Sequence, residues 1–364
     1  MFNTLVKRLF SSLSQKQQPN YFYFEEKQML DKEIEKSNEG GSQKDSAYCQ
    51  VITSIEDKHQ KAFYDVLFGE SSSDLPEDEL SIYITEKIEL LLLNPITILD
   101  TLPILPASLS QILEQLNNSE FDTDSLMALI EQEPAMIAKV IELANSSFYN
   151  HTSKEITNIK SAFVILGVNG LLEGVINGFL SKLTPQTFTS FQLFGNKIWH
   201  HNLTTGAITK ELLTNSVAKQ NIAEGYLIGL LSNLGDMIVF QLLMEAFTYV
   251  HPDCQPNSSA FKALLCKKSK KLTYYIAQYW KFPKSIVNIL ALQTKLTKSS
   301  MLPSLFNQHS LACYIYEANL LSEFEIRLEH SPLDESDITE MKNDLICSDE
   351  AKTYLDNLLT STQI

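Results

Sequence analysis

Histidines are the residues in this sequence whose types first suggest metal or acid–base chemistry. Seven are present, and two of them, His200 and His201, follow Trp199 inside a segment with helical spacing. Metal-dependent hydrolysis needs several nitrogen and carboxylate ligands from different helices, with an open position for water. No second histidine or His-Asp pair stands at a suitable place, and the other five, at 59, 151, 251, 309 and 330, fall at predicted loops or solvated positions. The spacing therefore favours a packed, hydrogen-bonded histidine over a metal ligand.

Other catalytic signatures are absent from the sequence. It contains no glycine-rich phosphate loop and no GxSxG motif, and Glu86 and Glu89 form no convincing dyad because nothing visibly desolvates them. The five cysteines, at 49, 254, 266, 313 and 347, are odd in number and include no CxxC pair. This pattern predicts reduced thiols in a cytoplasmic protein, without a disulfide framework and without a cofactor.

The elements that would position such groups are predicted to be helices. The 364 residues are 44% apolar and 20% charged, a globular composition long enough for one large domain or two ordinary ones. From residue 78 onward the apolar periods are almost all helical, so the sequence predicts an all-α fold with an N-terminal helical extension. No apolar run reaches the roughly 18–20 residues of a bilayer span. The clearest predicted helices cover 159–183, 193–214, 223–248, 259–280, 284–296, 304–320 and 349–359.

Glycine and proline mark breaks within this pattern. Residues 31–46 carry paired glycines and polar side chains, which are typical of a linker. Residues 102–106 hold two prolines that fix φ, so they predict a rigid extended piece before a helix at 109–116. Three glycines inside the helical pattern at 223–248 each weaken a helix, and close helix packing is the expected compensation. They are Gly225, Gly229 and Gly235.

Three regions are predicted along the chain. The first 13 residues have the spacing of an amphipathic helix, for which packing on its own protein is favoured over contact with a membrane surface. After residue 322 the composition turns acidic. The predicted regions are a helical and linker region at 1–76, a multi-helix domain at 77–322 and an acidic tail with a short helix at 323–364.

Charge is distributed unevenly along the sequence. Lys plus Arg number 29 against 44 Asp plus Glu, and the net charge of −15 argues against nucleic-acid binding by the whole surface. Residues 262–298, however, contain nine lysines and no acidic residue, interleaved with aromatic side chains in a composition typical of a single-strand nucleic-acid platform. Two plainer interpretations are favoured. Either the lysines solvate an outer face over a core of Tyr275, Tyr279 and Phe282, or the segment docks against the acidic tail or the N-terminal helices. The candidate interaction patch is Lys267, Lys268, Lys270, Lys271, Lys281 and Lys284.

An ordered series of short motifs resembles the HDOD domain. Each motif is weak alone, but the set follows the family's order over residues 97–296 and is specific. The matching stretches are LPILP at 102–106, LMALI at 126–130, EP at 133–134, IELANSSFY at 141–149, IKSAFVILG at 159–167, WHHN at 199–202, GYLIGLLSNLG at 225–235 and WKFP at 280–283. The resemblance implies a bacterial helical signalling protein, similar to the HD-type metal phosphohydrolases.

The resemblance also implies where a metal site would have been. His201 matches the first metal histidine of the HD-type enzymes. Their His-Asp pair, the lysine that often follows it, the later histidine and the His-His pair fall in turn on Ser232 and Asn233, Asp236, Ser269, and Gln293 and Thr294. A hydroxyl and a neutral amide hold a divalent ion poorly, and without the ion no hydroxide nucleophile forms at neutral pH. The matching positions therefore predict a vestigial site without metal in a protein that is not an enzyme.

Three functions stay open on these residues. The favoured one is a non-catalytic regulator in signal transduction that acts by contact with other signalling proteins, with residues 1–75 selecting the partner. The second is a nucleotide- or nucleic-acid-binding module that uses the lysine-rich segment. The third is a residual phosphohydrolase that uses His201 and Asp236, although two ligands hold a metal poorly. The pair Asn145 and Ser146, which ends a helix in the family, is interpreted as a capping device.

Overall fold

The computed structural model describes ten segments of the chain. All regular secondary structure within them is helical, which confirms the all-α prediction. The predicted linker at 31–46 and the predicted helix at 109–116 lie outside these segments. The described residues are 2–10, 54–70, 79–103, 123–131, 134–146, 149–150, 154–180, 189–250, 259–330 and 333–362.

The described residues form fifteen α-helices around one apolar core. Two single 3₁₀ turns and a short π-helical turn at Met341–Leu345 connect some of them. In chain order the helices are α1 (Asn3–Leu9), α2 (Ile55–Phe68), α3 (Glu79–Leu93), α4 (Ile96–Leu99), α5 (Thr123–Glu131), α6 (Pro134–Ala144), α7 (Ile159–Leu180), α8 (Thr189–Thr214), α9 (Ile222–Leu231), α10 (Leu234–Val250), α11 (Ser259–Tyr279), α12 (Lys284–Gln293), α13 (Leu302–His330), α14 (Glu335–Glu340) and α15 (Asp349–Thr362).

Both N-terminal helices pack into the core. Phe2 and Phe10, which flank α1, are fully buried, and the Phe2 amide donates to Glu245 Oε1 of α10 at 3.1 Å. The Ser54 side chain caps α2 by accepting a hydrogen bond from the Asp57 amide. Helix α2 buries its aromatic side chains and Leu67 against the rest of the protein. Residues 2–10 thus pack on their own protein, the favoured of the two interpretations.

One long predicted helix is two helices in the structure. The prediction of a single helix over 223–248 is wrong, because a turn at Ser232 and Asn233 separates α9 from α10. The Ser232 hydroxyl donates to the Gly229 carbonyl oxygen at 2.7 Å and so competes with the backbone bonds that would continue α9. Apolar periodicity carried no sign of this break, since leucines continue on both sides of it.

The glycines of this region allow the close packing that the sequence predicts. A Cβ added at Gly235 would lie 2.0 Å from the Ser269 carbonyl oxygen of α11. A Cβ at Gly229 would lie 2.7 Å from Thr209 Oγ1 of α8, and Gly225 is crowded by α8 in the same way. Any side chain at Gly229 or Gly235 would therefore push α9 or α10 off its neighbour.

The longest apolar stretch lies in the same helices. Glu224–Ala246 is long and apolar enough to cross a membrane by length and composition, which corrects the expectation that no such run exists. In the described residues, 94% of the apolar window within this stretch is buried. The stretch spans α9, the turn and α10, so its apolar side chains are those of core helices.

Helix α13 is longer than predicted and lies at the centre of the fold. It covers Leu302–His330, not 304–320, with non-helical backbone at His309 (φ −136°, ψ 43°). It packs against α2, α8, α9, α12 and α15 and continues across position 322. In the acidic segment that follows, α15 confirms the predicted helix at 349–359. The buried Glu317 of α13 accepts the backbone N–H groups of Cys347 and Ser348, which holds the start of α15 against α13.

Candidate functional site

A buried polar cluster lies where α2, α8, α13 and the α9–α10 turn meet. Its members are His59 of α2, His201 of α8, Asn233 of the turn, and Asn319 and Glu323 of α13. His201 is only 3% exposed. Apolar packing brings these helices together, and the polar side chains that they carry inward must then find partners with one another.

The donors and acceptors of this cluster have one consistent order. Glu323 as a carboxylate can only accept, so Asn319 Nδ2 donates to it at 2.8 Å. This turns Asn319 Oδ1 toward Asn233, whose Nδ2 donates to it at 2.6 Å. The second Asn233 proton points to His201 Nε2 at 3.0 Å. His201 Nε2 therefore accepts, and its lone pair is already used.

The other side of the His201 ring is satisfied in the same way. Because Nε2 accepts, the ring proton is on Nδ1, which donates to Ser322 Oγ at 2.8 Å. The ring centroid of Phe63 lies 4.8 Å from that of His201. Burial lowers the pKa of His201 to about 4, against an ordinary value of 6.5. His201 is thus a neutral, fully hydrogen-bonded core histidine near pH 7, as its spacing predicted.

His59 was predicted to lie at a loop or a solvated position, and this prediction is wrong. It is buried on α2, with Nε2 3.1 Å from Glu323 Oε2 and Nδ1 3.1 Å from Arg327 Nη1. Arg327 in turn contacts Asp337 Oδ2 at 2.8 Å. Burial opposes the ionisation of Glu323, but its close contact with His59 and the charge of Lys270 outweigh burial and lower its pKa. A charged chain therefore runs from the cluster to the surface.

Asp236 lies in the same region with a different partner. Tyr64 of α2 donates its hydroxyl proton to Asp236 Oδ1 at 2.8 Å. Burial raises the pKa of Asp236 to about 6, and the hydrogen bond from Tyr64 limits the rise. Helix α2 thus contacts two of the family positions, His201 through Phe63 and Asp236 through Tyr64, and it contacts Glu323 of the cluster through His59.

Three of the remaining predicted site residues, Ser232, Gln293 and Thr294, donate their side-chain hydrogen bonds to backbone carbonyls. Ser232 contacts Gly229, and the Ser269 carbonyl oxygen lies 3.2 Å from Thr273 Oγ1. Two further residues bond locally, away from His201: Gln293 Nε2 donates to the Ala312 carbonyl and Thr294 Oγ1 to the Ala291 carbonyl, each at 2.7 Å. The structure therefore brings His201 and Asn233 together and places Ser269 beside Asp236, whereas Ser232, Gln293 and Thr294 bond backbone carbonyls.

The residues at this position do not fit a divalent ion. Both ring nitrogens of His201 are engaged, and the Asn233 group that faces the ring is an N–H donor, which repels a cation. A zinc-type site needs about four converging donors of which several are anionic or imidazole. Within the described residues no group of three or more His, Cys, Asp or Glu side chains is placed to hold a metal ion.

Several of these cluster residues could not be found from the family positions. His59 lies before the region of the resemblance, and Asn319, Ser322, Glu323 and Arg327 lie after it. One signal was available: His59 stands four residues before Phe63, which puts both on the apolar face of α2. A polar residue on such a face predicts a buried partner, although it does not say which one.

Part of the lysine-rich segment is engaged within the protein. Lys262 is buried, and its Nζ lies 2.5 Å from Asp65 Oδ1 of α2. Lys268 Nζ lies 2.8 Å from Glu89 Oε1 of α3. The Lys262 contact agrees with the interpretation that the segment docks against the N-terminal helices, whereas the Lys268 contact is made within the predicted multi-helix domain.

The other patch residues divide into inward and outward groups. Lys270 is half-buried, with Nζ 5.3 Å from the Tyr316 ring centroid, and burial lowers its pKa. Phe282 is in the core as predicted, but Tyr279 is 39% exposed, so its prediction as a core residue is wrong. Trp280 is buried in the core. The exposed patch lysines are Lys267, Lys271, Lys281 and Lys284.

Asn145 closes the end of α6, as the interpretation of a capping device predicts. Its Nδ2 donates to the carbonyl oxygens of Ile141 at 3.0 Å and Ile156 at 2.7 Å, while its Oδ1 accepts from the Ile156 amide at 2.9 Å. Ser146 Oγ donates to the Leu143 carbonyl at 2.7 Å. The pair joins α6 to the segment before α7 and satisfies carbonyls that the helix leaves open.

A cavity of about 240 Å³ lies between α8 and α15. Its lining includes three carboxylates, Glu211, Asp349 and Glu350, together with the Tyr354 side chain. None of the predicted site residues lines it. The cavity is therefore separate from the His201 cluster.

The fold and the cluster define an all-α domain with a buried polar centre. More narrowly, the HDOD domain matches residues 102–296, which is more than half of the chain, and the chain belongs to this family. An uncharacterised protein of Treponema pallidum (strain Nichols) is 21% identical over 196 residues. The match covers 53% of this chain and only 37% of the Treponema protein.

One solved structure shares the fold, and two further structures are similar at lower TM-scores. An HDOD domain protein of unknown function from Geobacter sulfurreducens has a TM-score of 0.55 at 18% identity, over 76% of this chain and 96% of that one. A candidate metal-dependent phosphohydrolase from Shewanella amazonensis SB2B has a TM-score of 0.48 at 18% identity, over 75% and 98%. A candidate signal transduction protein from Marinobacter aquaeolei VT8 has a TM-score of 0.47 at 15% identity, over 88% and 66%.

Proposed function

We propose that this chain is a non-catalytic HDOD protein that acts in signal transduction through contacts with other proteins. One observation carries the proposal: the His201 lone pair that would bind a metal accepts a hydrogen bond from Asn233, and α2 covers the position with Phe63 and Tyr64. A protein without a bound ion at this position has no means to make water reactive there. The function that remains for such a protein is binding of other proteins to its surface.

A residual hydrolase would have to rebuild the site from His201 and Asp236. The Asp236 carboxylate is occupied by the Tyr64 hydroxyl, and its pKa is raised to about 6 by burial, so part of it is protonated near neutral pH. Metal binding would require α2 to leave, Asp236 to ionise fully and Asn233 to turn its amide over. Each of these steps costs free energy, and a metal held by only two ligands binds too weakly to offset that cost.

Metal analysis of the purified full chain tests the proposal. We expect no stoichiometric transition metal after incubation with Zn²⁺, Mn²⁺ or Fe²⁺ and gel filtration, and no chelator-sensitive hydrolysis of bis(p-nitrophenyl) phosphate. The matched variant is Ser232→His with Asn233→Asp, which restores the family's donor pair beside His201. A retained stoichiometric metal in the wild type, with hydrolysis lost both on chelation and in His201→Ala protein, would contradict the proposal.

A further inference from the structure

Most of the exposed large apolar side chains lie on two neighbouring stretches of the chain. Six large apolar side chains are exposed in the described residues, and four of them lie on two neighbouring stretches. Leu90 (60% exposed) and Leu93 (69%) are one turn apart on α3, Ile96 (51%) begins α4, and Tyr279 (39%) ends α11. Grouped exposed apolar residues mark interaction sites more often than scattered ones do.

Two polar contacts show that these stretches run side by side. Glu89 Oε1 of α3 lies 2.8 Å from Lys268 Nζ of α11, and Asp100 Oδ1 lies 3.3 Å from the Tyr279 hydroxyl. The partners are eleven residues apart in both stretches, from 89 to 100 and from 268 to 279, so the stretches are parallel. On α11 the two contacts are eleven residues apart, which is about 16 Å or three helical turns.

The α11 side of this face is basic. Lys267 and Lys271 are exposed one turn apart on α11, and Lys281 and Lys284 are exposed just after it. On the α3 side Glu89 is paired with Lys268, and Glu86 is exposed. An apolar row with lysines along one flank is therefore present on a chain whose net charge is −15.

We infer that this face, formed by Leu90, Leu93, Ile96 and Tyr279 with the flanking lysines, binds an amphipathic helix of a partner protein whose polar flank is acidic. The inference rests on the proposed function and names the kind of partner. A helix of about three turns matches the length of the row, with its apolar stripe on the leucines and its carboxylates toward Lys267 and Lys271. Lysines placed beside an apolar row select an acidic partner by charge complementarity.

Nucleic acid fits this face less well. Base stacking uses aromatic rings, and Tyr279 is the one exposed aromatic side chain named above, since Trp280 and Phe282 are buried. Phosphate contacts with the lysines would leave Leu90 and Leu93 in water. A second copy of this chain also fits poorly. Its acidic helix α15 would have to offer an apolar stripe, but Ala351 and Leu355 of α15 are buried in the core of their own chain.

Fluorescence anisotropy with designed peptides tests the inference on the full chain. The probes are two labelled helical peptides of about 14 residues with the same leucine stripe, one with a glutamate flank and one with a lysine flank. We expect the glutamate peptide to bind more tightly and to weaken as salt is added. Leu93→Asp is expected to weaken it by about tenfold or more, the loss of one buried leucine contact, and Lys271→Glu to weaken it in low salt.

Val217→Asp is the matched control, because Val217 is 95% exposed and belongs to another part of the fold. Equal binding of both peptides, or equal effects of Leu93→Asp and Val217→Asp, would overturn the inference. So would a single-stranded RNA oligonucleotide that binds more tightly than the glutamate peptide, or a wild-type dimer that Leu93→Asp separates. Metal analysis is independent of these results, so a failed peptide experiment with metal-free protein removes this inference and leaves the proposed function standing.

Discussion

The protonation of His201 is decided by a carboxylate that it does not touch. Glu323 can only accept, and through Asn319 and Asn233 this requirement leaves His201 Nε2 as an acceptor. A single exchange of carboxylate for amide at position 233 is thus enough to reverse the direction of the hydrogen bond at the ring. At the scale of one residue, a hydrogen-bonded core histidine and a free metal ligand differ in whether the Nε2 lone pair is already used.

The titrations of His201 and Asp236 affect stability in opposite directions. The pKa of His201 is about 4 when folded and 6.5 ordinarily, so between these values the unfolded chain binds the extra proton and stability falls as pH falls. The pKa of Asp236 is about 6 when folded and 3.8 ordinarily, so there the folded chain binds the extra proton and stability rises as pH falls. Between about pH 6 and pH 4 the two contributions offset each other.

Replacing His201 with glutamine should reveal this balance. At pH 7.5 we expect His201→Gln to lower the free energy of unfolding by about 1–2 kcal/mol, because the contact with Ser322 and the ring packing are lost. At pH 4.5 we expect the stability of the variant relative to the wild type to be about 2–3 kcal/mol more favourable than at pH 7.5. The reason is that the wild type has a neutral imidazole that takes up a proton on unfolding and the variant has none. Urea denaturation at both pH values measures the difference.

Asp236→Asn is the matched control for this experiment. It removes the opposing titration, so its stability relative to the wild type should decline between pH 7.5 and pH 4.5. If His201→Gln and the wild type show parallel stability curves over this range, the histidine is not held neutral by burial. If both variants drift in the same direction, the opposing roles argued for the two groups are incorrect.

Among the elements, the contact between α10 and α11 depends on the absence of one side chain. A Cβ at Gly235 would lie 2.0 Å from the backbone oxygen of Ser269, which cannot rotate away. We expect Gly235→Ala to lower the free energy of unfolding by about 2 kcal/mol or more, despite the higher helix propensity of alanine. At Gly178 the nearest atom would be Lys139 Cβ of α6 at 3.2 Å, so α6 would have to move by only a few tenths of an ångström.

Gly178→Ala is therefore the control for Gly235→Ala. Its helix α7 should tolerate the methyl group, and the unfolding midpoint in urea should stay near that of the wild type or rise. Comparable losses at both glycines would show that the crowding at Gly235 is relieved by a shift of α11. The comparison separates a packing requirement from a general effect of glycine in a helix.

Local patterns were sufficient to predict most of the helices but not how the helices end at the site. Apolar spacing located α7, α11 and α15 because each has one face that must be buried. It missed the turn at Ser232 and Asn233, since the apolar side chains on both sides are buried all round. It also missed the partners of His201 on α13, because Asn319 and Glu323 are distant in sequence and only tertiary packing brings them near.

For the whole molecule, the fold extends beyond the family region at both ends. Helices α1 and α2 precede residue 102, and α13, α14 and α15 follow residue 296, yet α2 and α13 supply His59 and Glu323 to the central cluster. The N-terminal region was expected to select a partner, and this expectation stays a prediction. The packing also shows that part of the N-terminal region, including Phe2, Phe10 and Phe63, belongs to the hydrophobic core.

Removal of residues 1–76 should therefore damage the fold itself. The truncation would expose the surfaces that Phe2, Phe10 and Phe63 now cover, and would leave Glu323 and Asp236 without their contacts to His59 and Tyr64. Buried aromatic truncations cost about 3–5 kcal/mol each, which is comparable with the stability of a whole domain. We expect the shortened chain to bind a hydrophobic dye and to lose its cooperative thermal transition. The full-length Val217→Asp variant should bind no more dye than the wild type and should keep the cooperative transition. A truncated chain that melts cooperatively at the wild-type temperature would show that α1 and α2 are an appendage, and that residues 77–362 form a complete domain.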